Sequence, residues 1–216
     1  MNADWIRADW PAPEHVVAGT TTRTGDIRKI AAEPRRLNQV HGATVLRSSD
    51  PVFKKGAPDA DALISTEVND VIAVRTADCL PVLLCSVAGE EIAAVHCGWR
   101  GLAADILANT INSMDTPAGE LMAWFGPAIS QQAFEVQDDV RDAFISKDES
   151  ATACFTTNER GRYQADLYGL ARLKLTRAGI ENVYGGGLCT YSDPDRFYSY
   201  RREGSTGRMK SFIYRL

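Results

Sequence analysis

The sequence predicts an α+β or layered α/β domain, with a mixed sheet and helices outside it. Three observations lead there. Short apolar runs rich in Val, Ile and aromatics recur between residues 70 and 126, each bounded by Gly, Pro or Asp. Stretches of helical period follow and alternate with them. No internal repeat, low-complexity tract or run of five like charges marks a linker, so one domain over residues 1–216 is expected.

In chain order, "DVIAVRT" (70–76), "PVLLCSV" (81–87), "EIAAVHC" (91–97) and "LMAWFG" (121–126) are the strand candidates. "GLAADILANTINSM" (101–114) then places Leu102, Ile106, Leu107, Ile111 and Met114 on one helical face. A second helix is expected over 136–145 from Val136, Val140, Phe144 and Ile145. A third, "ADLYGLARLKLTRAGI", aligns Leu167, Leu170, Ala171, Leu175 and Ala178, with Asp166 near its start and Gly179 near its end. Residues 47–60 and 146–162 read as surface loops.

With 216 residues, 44% of them hydrophobic, the chain can bury a sizeable core. The net charge of −4 supplies no general basic field, so a small-molecule partner is expected and nucleic acid is not. The opening "MNADWIRADWPAPEHVV" lacks the basic and apolar regions of a signal peptide, and no run reaches the roughly 18 apolar residues of a membrane span. A soluble, cytoplasmic protein with no membrane contact is expected. Five cysteines, Cys79, Cys85, Cys97, Cys154 and Cys189, form no CxxC pair and read as free thiols.

Only three histidines are present: His15, His41 and His96. His15, in "PAPEHVV", reads as a solvated surface residue. His41 and His96 each stand at a break in an apolar run, in "LNQVHGATV" and "IAAVHCGWRG", with glycine close behind. Glycine there lets backbone approach a ligand or turn sharply. Cys79, in "RTADCLPVLLC", falls just outside a strand that Pro81 should open, whereas Cys85 reads as a buried structural thiol. His41, Cys79 and His96 offer two imidazoles and a thiolate, a donor set for zinc with a fourth position left for water or substrate. Satisfied core histidines and an inert cysteine explain the same residues separately, and the wide spacing is unlike that of zinc fingers.

The C-terminal stretch concentrates Arg196, Arg201, Arg202, Arg208 and Lys210 among tyrosines. Guanidinium forks bind phosphate and carboxylate, which points to anion binding; the alternative is an edge strand blunted by cations.

The segments "QVHG" (39–42), "DADALIS" (59–65), "TADCLPVLLC" (76–85), "HCGWRGL" (96–102), "WFGPAI" (124–129), "FEV" (134–136), "CTY" (189–191), "FYSYRR" (197–202) and "TGRMKSFI" (206–213) resemble, in order, the YfiH family. The same family is called the laccase-domain or multicopper polyphenol oxidoreductase family. The resemblance implies a layered αββα-type fold, similar to the catalytic domain of the cytotoxic necrotizing factor, and metal ligands at His41, Cys79 and His96. Two departures stand out. The Gly- and Ser-rich loop with an "LNL"-like segment that usually follows "TTR" is missing from "TTRTGDIRKIAAEPRRLNQVHG" (21–42), which removes a segment expected to close over substrate. Cys97 replaces the usual alanine and sets a second thiol beside a proposed ligand.

The family's names carry two activities: copper-dependent oxidation of polyphenols, and phosphorolysis of adenosine, inosine and methylthioadenosine with deamination of adenosine. Two histidines and a cysteine suit one blue-copper ion, but a laccase also needs a histidine-rich trinuclear cluster, and only His15 would remain. Zinc-assisted nucleoside chemistry asks for less, with copper as the alternative ion. Zinc lowers the pKa of water to about 7, and Asp78 is the carboxylate placed to manage protons. The HxE…PCxxC signature of cytidine deaminases is absent. Arg100, Arg201, Arg202 and Arg208 are the cations expected to hold phosphate. A further alternative makes Cys79 a nucleophile and His96 its base in an amide or peptide hydrolase, matching the family's link with peptidoglycan editing.

Overall fold

The structure, a computed structural model, describes residues 4–216; residues 1–3 of the opening stretch and of the expected domain lie outside the described residues. Among the described residues the strands are β1 (Trp5–Arg7), β2 (Val16–Thr21), β3 (Val45–Arg47), β4 (Ala62–Ser65), β5 (Ile72–Thr76), β6 (Leu80–Ser86), β7 (Ile92–Cys97), β8 (Leu121–Phe125), β9 (Glu135–Val136), β10 (Phe155–Thr157), β11 (Tyr163–Ala165), β12 (Val183–Gly185) and β13 (Met209–Arg215). The α-helices are α1 (Trp99–Ala103), α2 (Ile106–Ser113), α3 (Asp138–Ile145), α4 (Leu167–Arg177) and α5 (Tyr200–Glu203).

The strands form a six-stranded sheet β12-β8-β6-β7-β4-β3, a four-stranded sheet β1-β2-β13-β5 and a small sheet β10-β11-β9. The six-stranded sheet is mixed: β12 on β8 and β3 on β4 are parallel, and the inner pairings are antiparallel. It is buried on both faces, so β6 reads as an unbroken apolar run, yet the pleat still sorts its side chains. Leu80, Val82 and Leu84 pack on the helices with Leu102, Ile106, Leu107, Leu170 and Leu175, while Leu83 and Cys85 meet Val16, Ala18, Ile72, Val74 and Ile213 of the four-stranded sheet. On that sheet's outer face Ile27, Val71, Ala73 and Phe212 pack together, so the outermost layer is the 3-10 turn Ile27–Lys29 and its neighbours.

The four central strands and the helices near 136–145 and 165–180 fall where the sequence places them. Asp166 caps α4 by accepting from the Gly169 N–H (2.9 Å), and Gly179 ends it with φ of 91°. Two expectations need correction, and one alternative is excluded. The helix expected over 101–114 is two helices, because Asp105 turns left-handed (φ 66°) and sends its carboxylate to Lys147 and Lys174. The loop at 146–162 contains a 3-10 turn and strand β10, which pairs with β11. The basic C-terminal strand β13 is an inner strand between β2 and β5, not a blunted edge.

One prediction follows from the break at Asp105. A left-handed backbone penalises a β-carbon that lacks a polar tip, so Asp105→Ala should be less stable than Asp105→Gly by on the order of 1 kcal/mol in urea denaturation. Equal stabilities would show that the turn, as opposed to the ion pairs, imposes no constraint.

Candidate metal centre

Between the two large sheets the buried layer turns from apolar to polar toward one end. Asp61, just before β4, and His96 of β7 share a face with Leu63 and with Ala94; Thr20, Thr76 and Ser211 occupy the same layer on the facing sheet. Thr20 and Ser211 hydrogen-bond to each other through their hydroxyls at 2.6 Å. At this polar end lies a cavity of about 720 Å³ whose lining includes His41, Cys79 and His96.

Each of the three donors arrives by a different device. His96 lies inside β7, 2% exposed, opposite Pro81 of β6. Cys79 immediately precedes β6, presented by Asp78, whose φ of 95° bends the chain. His41 is exposed on the loop before β3 and takes a left-handed conformation (φ 60°). The ligand atoms of His41, Cys79 and His96 all lie within 4.8 Å of one another, and Cys79 Sγ is 3.8 Å from His41 Nε2. The two imidazoles meet edge to face, with centroids 4.8 Å apart. Tetrahedral zinc with its usual Zn–N and Zn–S bonds needs donor separations of about 3.5 Å, so the set fits a small divalent ion after a slight contraction.

A buried carboxylate holds this set in place. Asp61 is 0% exposed; its Oδ1 lies 2.7 Å from His96 Nδ1 and accepts from the His41 N–H (3.0 Å). Its Oδ2 accepts from the N–H groups of Gly42 (2.7 Å) and Val40 (3.3 Å). Three successive amides thus wrap one anion, as in a backbone nest, and His96 is left with Nε2 for a metal. Burial works against the charged carboxylate, but the hydrogen bonds from His96 and Gly42 hold Asp61 below its ordinary pKa. Burial also opposes charge on Cys79 and His96, yet their hydrogen bonds to each other and to His41 and Asp61 prevail. The thiol is brought down to about 6 and the imidazole up to about 9.

Gly98 and Gly101 serve close approach. A β-carbon at Gly98 would stand 2.9 Å from His41 Cδ2 and 3.3 Å from Cys79 Sγ, and one at Gly101 would stand 2.7 Å from the Gly42 carbonyl oxygen. Cys97, next to a proposed ligand in sequence, points the other way into the helix-side core, where burial raises its pKa well above the ordinary thiol value. Cys85 is likewise buried and pushed up to about 12. His15 is half-buried and does not line the cavity.

The remaining expected site residues divide. Asp78 lines the cavity, but both carboxylate oxygens are engaged, Oδ1 by the Thr190 hydroxyl (2.6 Å) and Oδ2 by the Arg201 N–H (2.7 Å). That makes it a positioning group for the C-terminal segment. Arg100, Arg201 and Arg208 also line the cavity. Arg100 stacks over Trp99 at 4.4 Å, Arg201 stacks on Phe134 and donates to the carbonyls of Ala133 and Glu135, and Arg208 curls back onto the carbonyls of Thr206 and Gly207. Arg202 is not brought to the cavity; its guanidinium clamps the carbonyls of Thr190, Tyr191 and Phe197 and pairs with Glu203. Sequence reasoning missed Asp61 and Arg75. The signal was present for both: an acid directly before the buried "ALIS", and a lone charge within the apolar "IAVRT".

Asp61→Asn replaces an acceptor with a donor against three amides. Metal affinity should fall about 10- to 100-fold, read by competition with a chromogenic chelator, and the thermal midpoint should drop. Unchanged affinity would mean that His41 and His96 are oriented by other contacts.

Comparison with known proteins places the chain in a family. The family profile described as multi-copper polyphenol oxidoreductase laccase matches residues 12–216. A purine nucleoside phosphorylase of Pseudomonas aeruginosa is 41% identical over 244 residues, covering 99% of both chains. The purine nucleoside phosphorylase YfiH of Escherichia coli (strain K12) is 40% identical over 241 residues, covering 97% of this chain and 98% of that one. A 244-residue alignment against a 216-residue chain means that the Pseudomonas protein carries residues lacking here, in keeping with a missing loop. A crystal structure of a Neisseria meningitidis protein superposes with a TM-score of 0.94 at 41% identity, covering 99% of each chain. Matched along nearly its whole length in sequence and in structure, the chain belongs to the multi-copper polyphenol oxidoreductase laccase family, the family of YfiH.

Proposed function

We propose that the protein is a zinc-dependent purine nucleoside phosphorylase, one catalytic domain over residues 1–216, that splits adenosine, inosine or methylthioadenosine to the free base and the ribose 1-phosphate, and deaminates adenosine. The observation that carries this reading is the convergence of His41, Cys79 and His96 on a cavity walled by arginines and aromatic rings. The names of the Pseudomonas and Escherichia relatives support it.

His41, Cys79 and His96 would hold the ion, zinc by donor type, with copper as the alternative. When bound it supplies a Lewis acid and can lower the pKa of water to about 7. The chain's own residues supply the rest. Trp99 and the 60% exposed ring of Tyr200 offer flat apolar faces for a purine. Arg100, with Arg201 and Arg208 along the same wall, holds phosphate by its guanidinium fork. In phosphorolysis a phosphate oxygen bonds to ribose C1′ as the C1′–N bond breaks, and the base leaves with a proton. Cations facing the phosphate orient it for that attack. Free thiols at all five cysteines suit the cytoplasm, and no helix among the described residues is long and apolar enough to cross a membrane.

Phenol oxidation by a multicopper mechanism is the weaker reading, because the chain has three histidines and no donors for a trinuclear cluster. A cysteine hydrolase draws on the lowered thiol of Cys79. The readings separate in one assay. Metal removal with 1,10-phenanthroline should abolish phosphate-dependent release of hypoxanthine from inosine, and zinc should restore it. Arg100→Ala should lower kcat/KM for phosphate about 10- to 100-fold, the loss expected for one charged hydrogen-bonding partner. Amide hydrolysis that survives chelation, with a covalent adduct on Cys79, would favour the hydrolase.

A further inference from the structure

Beside the metal cavity lies a smaller pocket of about 160 Å³, and the two share a wall formed by Gln39 and Arg75. Its floor is apolar, from Leu37 and Ala73, and its other walls carry Glu33, Arg35, Arg36 and Lys210. Arg75 of β5 and Lys210 of β13 are direct partners in the antiparallel register, on the same face of the four-stranded sheet. Side chains directly opposite one another are close neighbours, and like charges there destabilise a sheet.

Each nearby carboxylate is hydrogen-bonded to a cation outside this pair. Glu33 is hydrogen-bonded to Arg36, Asp26 to Arg28, and Asp70 to Arg35. Lys210 acts on Asp26 and Glu33 electrostatically but forms no hydrogen bond or ion pair with either. Among the described residues the side chains of Arg75 and Lys210 have no ion pair or hydrogen bond of their own. The backbone beneath Arg75 is held rigid: the Gln39 amide donates to the Arg75 carbonyl (2.9 Å) and accepts from its N–H (2.8 Å). Two cations facing each other, fixed at the root and unpaired at the tip, form a receptor for a compact dianion.

We propose that Arg75 and Lys210 form a phosphate subsite in this side pocket, beside the position assigned to Arg100. The phosphate group is either inorganic phosphate or one carried by the substrate, as on the 5′ end of a purine nucleotide reaching over the shared wall. The choice of carrier rests on the nucleoside reading above; the subsite itself does not.

The test is calorimetric titration of inorganic phosphate, inosine and inosine 5′-monophosphate, each alone, into the wild type, the double variant Arg75→Ala/Lys210→Ala, and the double variant Lys54→Ala/Lys55→Ala, which removes an equal charge outside the pocket. The Arg75→Ala/Lys210→Ala variant should bind phosphate or inosine 5′-monophosphate at least tenfold more weakly, with inosine unaffected and Lys54→Ala/Lys55→Ala matching the wild type. Tighter binding of the nucleotide than of inosine, lost in the Arg75→Ala/Lys210→Ala variant, identifies a substrate-borne phosphate. Saturable phosphate binding with no preference for the nucleotide identifies the inorganic ion. Without phosphate, the Arg75→Ala/Lys210→Ala variant should melt no lower than the wild type, because it relieves a repulsion. Phosphate affinities indifferent to the two side chains, no phosphate binding by the wild type, or a lowered melting point would overturn the proposal. Failure to bind inosine would count against the nucleoside reading only, since phosphate is titrated by itself.

Discussion

Everything at the candidate metal centre depends on one buried anion, the carboxylate of Asp61. With 0% exposure it has no water to solvate it, so its charge must be met by protein donors. It meets them in two places that are far apart in sequence: three successive amides at residues 40–42, and the imidazole of His96 on β7. Satisfying the carboxylate therefore folds the His41 loop against β7. Removing one partner from such a group leaves a buried charge uncompensated, at a cost of about 3–5 kcal/mol. The left-handed turn at His41, strained in isolation, is offset by this saturation.

The sandwich explains why the centre sits where it does. A sheet buried on both faces gives each strand an inner and an outer row, and in β7 those rows separate His96 from Cys97 completely. One residue of register decides between a ligand facing the polar end of the inter-sheet layer and a thiol locked in the helix-side core. The same parity sets Asp61 on the row of Leu63, beside His96. Glycine enters only where backbone and ligand must touch, at Gly98 beneath His41 and Cys79 and at Gly101 against the Gly42 carbonyl.

Much of the central architecture was legible in the residues. β5 to β8, α3 and α4 follow from apolar runs, helical spacing and the Asp166 and Gly179 caps, because those signals are local. The break at Asp105 was not legible, since it depends on Lys147 and Lys174 arriving from elsewhere in the chain. The site divides the same way. His41, Cys79 and His96 are candidates by donor type and stand out only through the family resemblance, whereas Asp61 acts only through partners that folding brings to it. The arginines of the C-terminal segment were read as one anion-binding group, but a guanidinium has five donors and carbonyls compete for them. Arg202 is wholly engaged that way, and sequence alone does not record which arginine a loop has claimed.

The distinction between engaged and unengaged cations bears directly on what the cavity can recognise. An arginine whose fork is filled by carbonyls contributes a diffuse positive field, but it must break those bonds to grip a ligand. Arg202 is in that condition, whereas Arg201 and Arg208 spend only Nη1 on the carbonyls of Ala133, Glu135, Thr206 and Gly207 and keep Nε and Nη2 open. Arg100, whose guanidinium lies over the Trp99 ring and keeps its donors at the edge, can accept an anion without surrendering anything. Cation stacking of this kind also orients the fork, which lowers the entropy lost on binding. One ligand, His96 near the end of β7, and the stacked Arg100 in the first turn of α1 thus come from one short stretch of chain, whereas His41 and Cys79 arrive from elsewhere. Under the proposed phosphorylase reading, a substrate that bridges His96 and Arg100 would span two consecutive elements, β7 and α1.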